Sequence, residues 1–340
     1  MNGYRTYFVG HVSRFVNRLL VPSPLSTSSL FSTSSVRRRP YSSRTTPTVP
    51  LAADIHEPAG TSLRGAIPAD DQGHGHFSPH DPLLILHGLF GSKQNWRGIG
   101  RQLAQACGHR VMPVDLRNHG LSPHAKHMDY AIMAKDVDQL VAKDLGASSA
   151  ILCGHSMGGR VAMTAAVAQP ELYSRLIVVD VSPVSAPNGL NTFAGYLGAM
   201  QELDRMEVTR RKEAEAYLAS HVPDERIRLF LLTNLVSTPT GHLKFRINLS
   251  GIASFVPSMW NFDLISPTAS QSAPVYSQPA LFIRGSRSGY LPNSHLATLM
   301  NLFPQAEVAT MEGCGHWPHA ERPTECVDIV TDWLKRTESP

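Results

Sequence analysis

The sequence predicts an α/β fold with a mostly parallel central sheet, helices on both faces and a helical lid. Three observations predict it. Short apolar runs alternate with helical patterns from residue 82 to residue 181. The alternation stops over 184–273, where the pattern is mostly helical, and it returns from 280 to 336. Strands alternating with helices need parallel pairing, and a parallel sheet is covered on both faces.

Taken in order, 82–87 (P-L-L-I-L-H) reads as a buried strand, because it is apolar without alternation and then breaks into glycines. A helix follows over 93–106, then a strand over 110–116. A second helix over 129–145 stops at Gly146, a residue free to take the left-handed backbone that ends helices. Strand 149–153, helix 157–168 and strand 176–181 complete the first run. Within 184–273, R-R-K-E-A-E-A-Y-L and E-R-I-R-L-F-L-L carry helical spacing, and no buried parallel strand is evident. A helical insertion into an alternating pattern reads as a lid. Met200, Met206, Phe230, Leu231, Leu232 and Trp260 fit either an acyl pocket beneath this lid or the lid's own core. The alternation resumes with strand 280–284, helix 293–303, strand 306–311 and a last helix over 323–336. Residues 59–80, rich in Gly, Pro, Asp and His, read as a surface loop.

The 340 residues carry a net charge of +4, which misleads. Residues 1–53 hold seven arginines, no lysine and no acid; without those seven charges the remainder stands at −3. The basic balance therefore gives no argument for a nucleic-acid surface. Arginine, serine and the absence of acids, with Tyr7, Phe8, Phe15, Leu19 and Leu20 interleaved with Arg14 and Arg18, match a mitochondrial transit peptide over 1–41. Arg39-Pro40-Tyr41-Ser42 is like a matrix-protease cut site. The expected organisation is thus a leader over 1–41, an N-terminal segment over 42–81, and a main domain over 82–336 that includes the lid; the expected location is the mitochondrial matrix. No run of eighteen apolar residues occurs, so no transmembrane helix is expected. Cys107, Cys153, Cys314 and Cys326 have no paired spacing and read as free thiols.

Gly154-His155-Ser156-Met157-Gly158 follows one predicted strand and opens the next predicted helix. That context turns a common pentapeptide into a nucleophile elbow. Glycines are needed because the turn leaves no room for a Cβ on either side, and the helix N-terminus favours negative charge developing at Ser156. Gly159 allows close packing. The loop His87-Gly88-Leu89-Phe90-Gly91 ends an earlier strand, where a second oxyanion donor is expected. Backbone N–H groups of Leu89 and Met157 are the candidates, with Phe90 next after Leu89; His87 reads as a residue that fixes the loop. His316, in Gly313-Cys314-Gly315-His316-Trp317-Pro318 after the last strand, is the candidate base, since serine needs one at neutral pH. His319 is its nearest rival and reads as an entrance residue. The acid is expected between serine and histidine in sequence, yet Gly285-Ser286-Arg287-Ser288-Gly289, its usual loop, holds none. Asp180, ending L-I-V-V-D, is the candidate, ahead of Asp263. Asp115 to Ser122 reads as a loop stabilised by Asp and Arg hydrogen bonds. His74, His76 and His80 lie in a polar loop without acid or cysteine at ligand spacing, which argues against a metal site. No phosphate-binding glycine motif occurs, so no cofactor is implied.

Together H-G-L-F-G-S-K-Q-N-W, D-L-R-N-H-G-L-S, G-H-S-M-G-G-R-V-A-M, V-V-D-V-S-P and G-H-W-P-H resemble one branch of the α/β-hydrolase superfamily, over roughly residues 82–336. That branch contains YbfF-type esterases, mitochondrial abhydrolase-domain proteins of animals and fungal ethanol-acetyltransferase-like proteins. The resemblance implies the α/β-hydrolase fold, a helical cap and the elbow serine, and it maps the family's aspartate onto Asp180. The expected partner is a small acyl ester or thioester, cleaved through an acyl-enzyme. An alcohol acyltransferase of acetyl-CoA:ethanol type would use the same three residues, and an idle mitochondrial binding protein would use none of them.

Overall fold

A computed structural model describes residues 46–58, 81–185, 190–262, 264 and 275–338. The leader at 1–41, the loop at 59–80 with His74, His76 and His80, and Asp263 lie outside the described residues.

Six strands pair in parallel: β1 (Leu83–Leu86), β2 (Val111–Val114), β3 (Ala150–His155), β4 (Tyr173–Val179), β7 (Ala280–Gly285) and β8 (Ala306–Met311), in the order β2-β1-β3-β4-β7-β8. β1 and β3 are buried along their whole length, which explains why 83–86 and 150–155 are apolar without alternation. Neighbours along a strand still face opposite sides. Leu83, Ile85, Ile151, Cys153, Ile177 and Val179 pack with α1 (Arg97–Cys107) and α10 (Pro323–Thr337). Leu84, Leu86, Leu152 and Val178 pack on the other side with α2 (Tyr130–Gln139), α3 (Met157–Ala168) and α8 (Leu296–Leu302). The chain thus builds two apolar cores, one on each side of the sheet.

Helix ends follow local chemistry. Asp129 caps α2 by accepting from the Ile132 N–H at 2.8 Å. α2 runs on as a wider π turn over Leu140–Asp144 and ends at Gly146, whose φ is +61°. An edge feature escaped the sequence: Ala53 and His56 bridge antiparallel to Val114 and Val111, covering the open side of β2.

Between β4 and β7 the chain forms α4 (Leu190–Arg205), α5 (Arg211–Ala219), α6 (Glu225–Leu232), a short antiparallel hairpin of β5 (Leu235–Ser237) and β6 (Leu243–Phe245), and α7 (Leu249–Met259). The hairpin was not expected. Its strands are three residues long, too short for alternation to show. The six residues offered as pocket or core divide: Met200 and Leu232 are buried in the core, Phe230, Leu231 and Trp260 line cavities, and Met206 is exposed. α9 (Pro318–Glu321) is a single turn before α10. No helix among the described residues is long and apolar enough to cross a membrane.

The strand order reverses direction at β1, with β2 on one side and β3 on the other. Loops leaving the C-terminal ends of β1 and β3 therefore part there and leave a crevice, the usual binding place in an open parallel sheet.

Candidate active site

Ser156 leaves β3 and caps α3 with φ +53° and ψ −116°, a conformation that side chains other than glycine's rarely adopt. Such strain costs about 1–3 kcal/mol and persists only where the surroundings enforce it. Here they do. A Cβ on Gly154 would stand 2.3 Å from the Gly158 oxygen, and one on Gly158 would stand 2.3 Å from the Leu86 oxygen. Both opposing atoms are backbone and do not yield. At Gly159 a Cβ would meet Val181 at 2.7 Å. The elbow thus packs directly on β1.

Three side chains from three loops meet at this turn. Ser156 Oγ lies 3.1 Å from His316 Nε2, and His316 Nδ1 lies 2.7 Å from Asp180 Oδ2. A carboxylate only accepts, so Nδ1 carries the proton and Nε2 faces the serine hydroxyl as acceptor. Asp180 follows β4 with φ +52° and is fully buried. Its N–H donates to the Ile283 oxygen at 2.7 Å, which ties it to the neighbouring strand. Oδ1 accepts from the Gly285 N–H at 3.0 Å, and Oδ2 also accepts from the Ser288 hydroxyl. The acid-free loop 285–289 therefore supplies the donors for a carboxylate that sits one strand away. Ser288 was not singled out in the sequence; the missing acid was the one sign that this loop has another task.

The His316 loop is held from below and above. His155 Nε2–H donates to the His316 carbonyl at 2.8 Å, and the Tyr290 ring stacks on the imidazole with centroids 3.8 Å apart. Burial raises the Tyr290 phenol to about 12, so it stays neutral. His319, expected at the entrance, is instead buried and stacked on Trp96 at 4.2 Å. Burial lowers its pKa to about 3, which leaves it a neutral wall of the cavity.

The loop after β1 is pinned by two further neutral histidines. His87 Nδ1–H donates to the Gly88 oxygen at 2.8 Å while its Nε2 accepts from the Leu116 N–H at 3.0 Å. His119 Nδ1–H donates to the Arg117 oxygen at 3.0 Å, and its Nε2 accepts from the Phe90 N–H at 3.3 Å. Burial lowers His87 to about 4 and His119 to about 3. The Phe90 N–H is thereby engaged, and it leaves the oxyanion candidacy to Leu89. Among the described residues neither the Leu89 nor the Met157 N–H has a protein partner. The segment from Asp115 to Ser122 carries the hydrogen bonds its sequence suggests. Asp115 accepts from the N–H groups of Lys93 and Leu121 at 2.7 and 2.8 Å, and Arg117 pairs with Asp136 at 2.5 Å with both side chains buried.

The lid reaches this loop too. Asn234 Nδ2 donates to the Phe90 oxygen at 2.8 Å in a fully buried contact. The Asn248 N–H and Nδ2 donate to the backbone and side-chain oxygens of Asn118, at 2.9 and 3.0 Å. Arg160 Nη1 and the Tyr130 hydroxyl both donate to the Met259 oxygen at the end of α7, at 2.7 and 3.1 Å.

Around Ser156 a cavity of about 270 Å³ opens between Leu89, Phe193, Ile227, Phe230, Trp317 and His319. Its lining is mostly apolar with a few polar groups, as in small-molecule sites.

Residues 81–323 match the family model described as alpha/beta hydrolase fold. The sn-1-specific diacylglycerol lipase ABHD11 of Mus musculus is 39% identical over 256 residues, covering 74% of this chain and 80% of the relative. A probable alcohol acetyltransferase of Saccharomyces cerevisiae is 35% identical, covering 81% and 82%. A solved marine microorganism esterase superposes with a TM-score of 0.72 at 29% identity, covering 84% of this chain and all of that one.

Proposed function

Because the chain belongs to the α/β-hydrolase fold family, we propose that it is a serine hydrolase that cleaves carboxylic esters or thioesters through an acyl-enzyme. The observation that carries this reading is the hydrogen-bonded line from Ser156 through His316 to Asp180, at 3.1 and 2.7 Å.

Ser156 Oγ attacks the acyl carbon as its proton passes to His316 Nε2. Asp180 stays a carboxylate, holds the ring in the required tautomer and stabilises the imidazolium. The carbonyl oxygen takes the negative charge and lies against the N–H groups of Leu89 and Met157, each worth about 2.7–4 kcal/mol in such a transition state. The adduct collapses when His316 returns its proton to the leaving oxygen or sulfur. Water then loses a proton to His316 and attacks the Ser156 ester, releasing the acid and restoring the serine.

The test is a fluorophosphonate probe with ester and thioester substrates. Ser156 becomes labelled, and Ser156→Ala loses both labelling and turnover while keeping its fold. A wild-type protein that is folded and unlabelled would return the reading to an idle binding protein.

The similarity to a probable alcohol acetyltransferase favours a second reading, in which an alcohol replaces water in the second step. Acetyl-CoA with ethanol separates the two: free acetate means hydrolysis, ethyl acetate means transfer. We further propose a mitochondrial location on the composition of residues 1–53. Import into isolated mitochondria, lost when Arg14 and Arg18 become glutamine, tests it.

A further inference from the structure

Two cavities meet at Ser156, and they differ in size by more than an order of magnitude. The larger, about 270 Å³, is walled by His316, Trp317 and His319. The smaller, about 20 Å³, is walled by Met157, Arg160, Val181, Met259, Trp260 and Tyr130, and His316 does not reach it. Leu89, Phe193 and Tyr290 border both.

The chemistry of acyl transfer assigns a role to each. His316 must hand its proton to the leaving atom, so the leaving group lies on the histidine's side of the tetrahedral carbon. The acyl substituent points away from that side, past the oxyanion donors. The larger cavity faces His316 and takes the leaving group. The smaller lies behind Met157, whose N–H is one of the proposed donors, and takes the acyl substituent. We infer that this hydrolase accepts an acyl group of two or three carbons joined to a bulky, largely apolar alcohol or thiol, and that Met259 and Trp260 set the acyl limit. This rests on the serine-hydrolase reading above.

The size argument is direct. A cavity of about 20 Å³ holds one or two water-sized groups, the size of a methyl or an ethyl. Its far wall is braced: Arg160 and Tyr130 both donate to the Met259 oxygen, the Arg160 guanidinium lies 4.9 Å from the Phe262 ring centroid, and Trp260 and Met259 are themselves buried. A longer acyl chain has to displace a side chain held between α3 and the end of α7. The large cavity has a softer wall, since Phe193, Tyr196, Ile227 and Phe230 come from lid helices and are only half-buried.

The experiment varies one side of the ester at a time. With p-nitrophenol as the common leaving group, kcat/KM falls from acetyl to butyryl by about 10-fold or more, the scale on which an apolar pocket discriminates added methylenes. With acetyl as the common acyl group, kcat/KM rises from methyl to naphthyl esters. Trp260→Ala and, separately, Met259→Ala move the acyl optimum to butyryl or longer. Phe230→Ala alters the alcohol preference and leaves the acetyl-to-butyryl ratio in place. Circular dichroism confirms that each variant is folded, and Trp260→Phe serves should Trp260→Ala fail to fold. Octanoyl ester or diacylglycerol cleaved faster than the acetyl ester by the wild type overturns the assignment, while Ser156 labelling still supports the serine mechanism. A wild type that neither labels nor turns over fails at the earlier reading instead.

Discussion

The sheet rim and the lid handle space in opposite ways. At the rim, Gly154, Gly158 and Gly285 stand where an added Cβ would fall 2.2–2.3 Å from a backbone oxygen, so the elbow is locked to β1, and the end of β7 to the His316 loop, through main chain. In the lid, Gly195 and Gly198 on α4 have nothing within 4 Å of a Cβ, and the cavity is lined through side chains such as Phe193, Ile227 and Phe230. Reacting atoms need placement to a fraction of an ångström, which backbone-on-backbone packing supplies. The lid shapes a cavity, and side chains suffice for that. The two regions join where Asn234 holds the Phe90 oxygen, so the lid also helps to hold the loop that carries the Leu89 N–H.

Substitutions can break this division or sharpen it. The largest effect is expected from Asp180→Asn, which keeps the shape and removes the acceptor that fixes the His316 tautomer. Steady-state kinetics should record a kcat loss of about 10³–10⁴ with KM little changed. Gly158→Ala drives a methyl into the Leu86 oxygen and should cost at least about 3 kcal/mol, read as a lowered denaturation midpoint or as loss of soluble protein.

Acid acts on the rim in the same direction. His87, His119 and His319 stay neutral when folded but take protons near pH 6.5 when unfolded. The unfolded state thus binds more protons below that value, and stability falls as pH drops from 6.5 towards 4. The slope is about 1.4 kcal/mol per pH unit for each ring, to be followed by Tm against pH. A flat profile in that window would mean the rings are hydrated and protonated in the folded protein.

Effects in the lid should be smaller. Asn234→Ala leaves the Phe90 carbonyl without its donor and should lower kcat about 10-fold, matching the loss of one buried hydrogen bond, with Tm lowered only slightly. An unchanged kcat would show that the lid takes no part in holding the loop after β1. Gly195→Ala, at an exposed helix interior, should raise stability by about 0.5–1 kcal/mol, seen as a Tm gain of a few degrees without change in kcat. A Gly195→Ala variant as damaging as Gly158→Ala would erase the contrast between the regions.

Much of the rim was legible in the sequence because its constraints are local. A strand, a glycine-flanked serine and a following helix occupy adjacent positions, and continuous apolar runs mark strands buried on both faces. The hairpin of β5 and β6 was not legible, because three-residue strands carry no period. Ser288, Tyr290 and Asn234 were not legible either. Each acts on a partner more than 25 positions away, Asp180, His316 and Phe90, and nothing near it in the chain points there. His319 was misplaced for a related reason: whether an imidazole faces solvent or stacks on an indole depends on Trp96, more than 200 residues earlier.

By itself the sequence marked the succession of strands and helices along the chain, the elbow, and Ser156, His316 and Asp180 as the candidates that the fold brings within hydrogen-bond distance, since period and turn chemistry operate over neighbouring residues. Only the tertiary structure decided which N–H of the β1 loop stays free, which groups surround the aspartate, and how unequal the two cavities are. Those properties depend on distances between segments far apart in the chain, and such distances exist only once both faces of the sheet are packed.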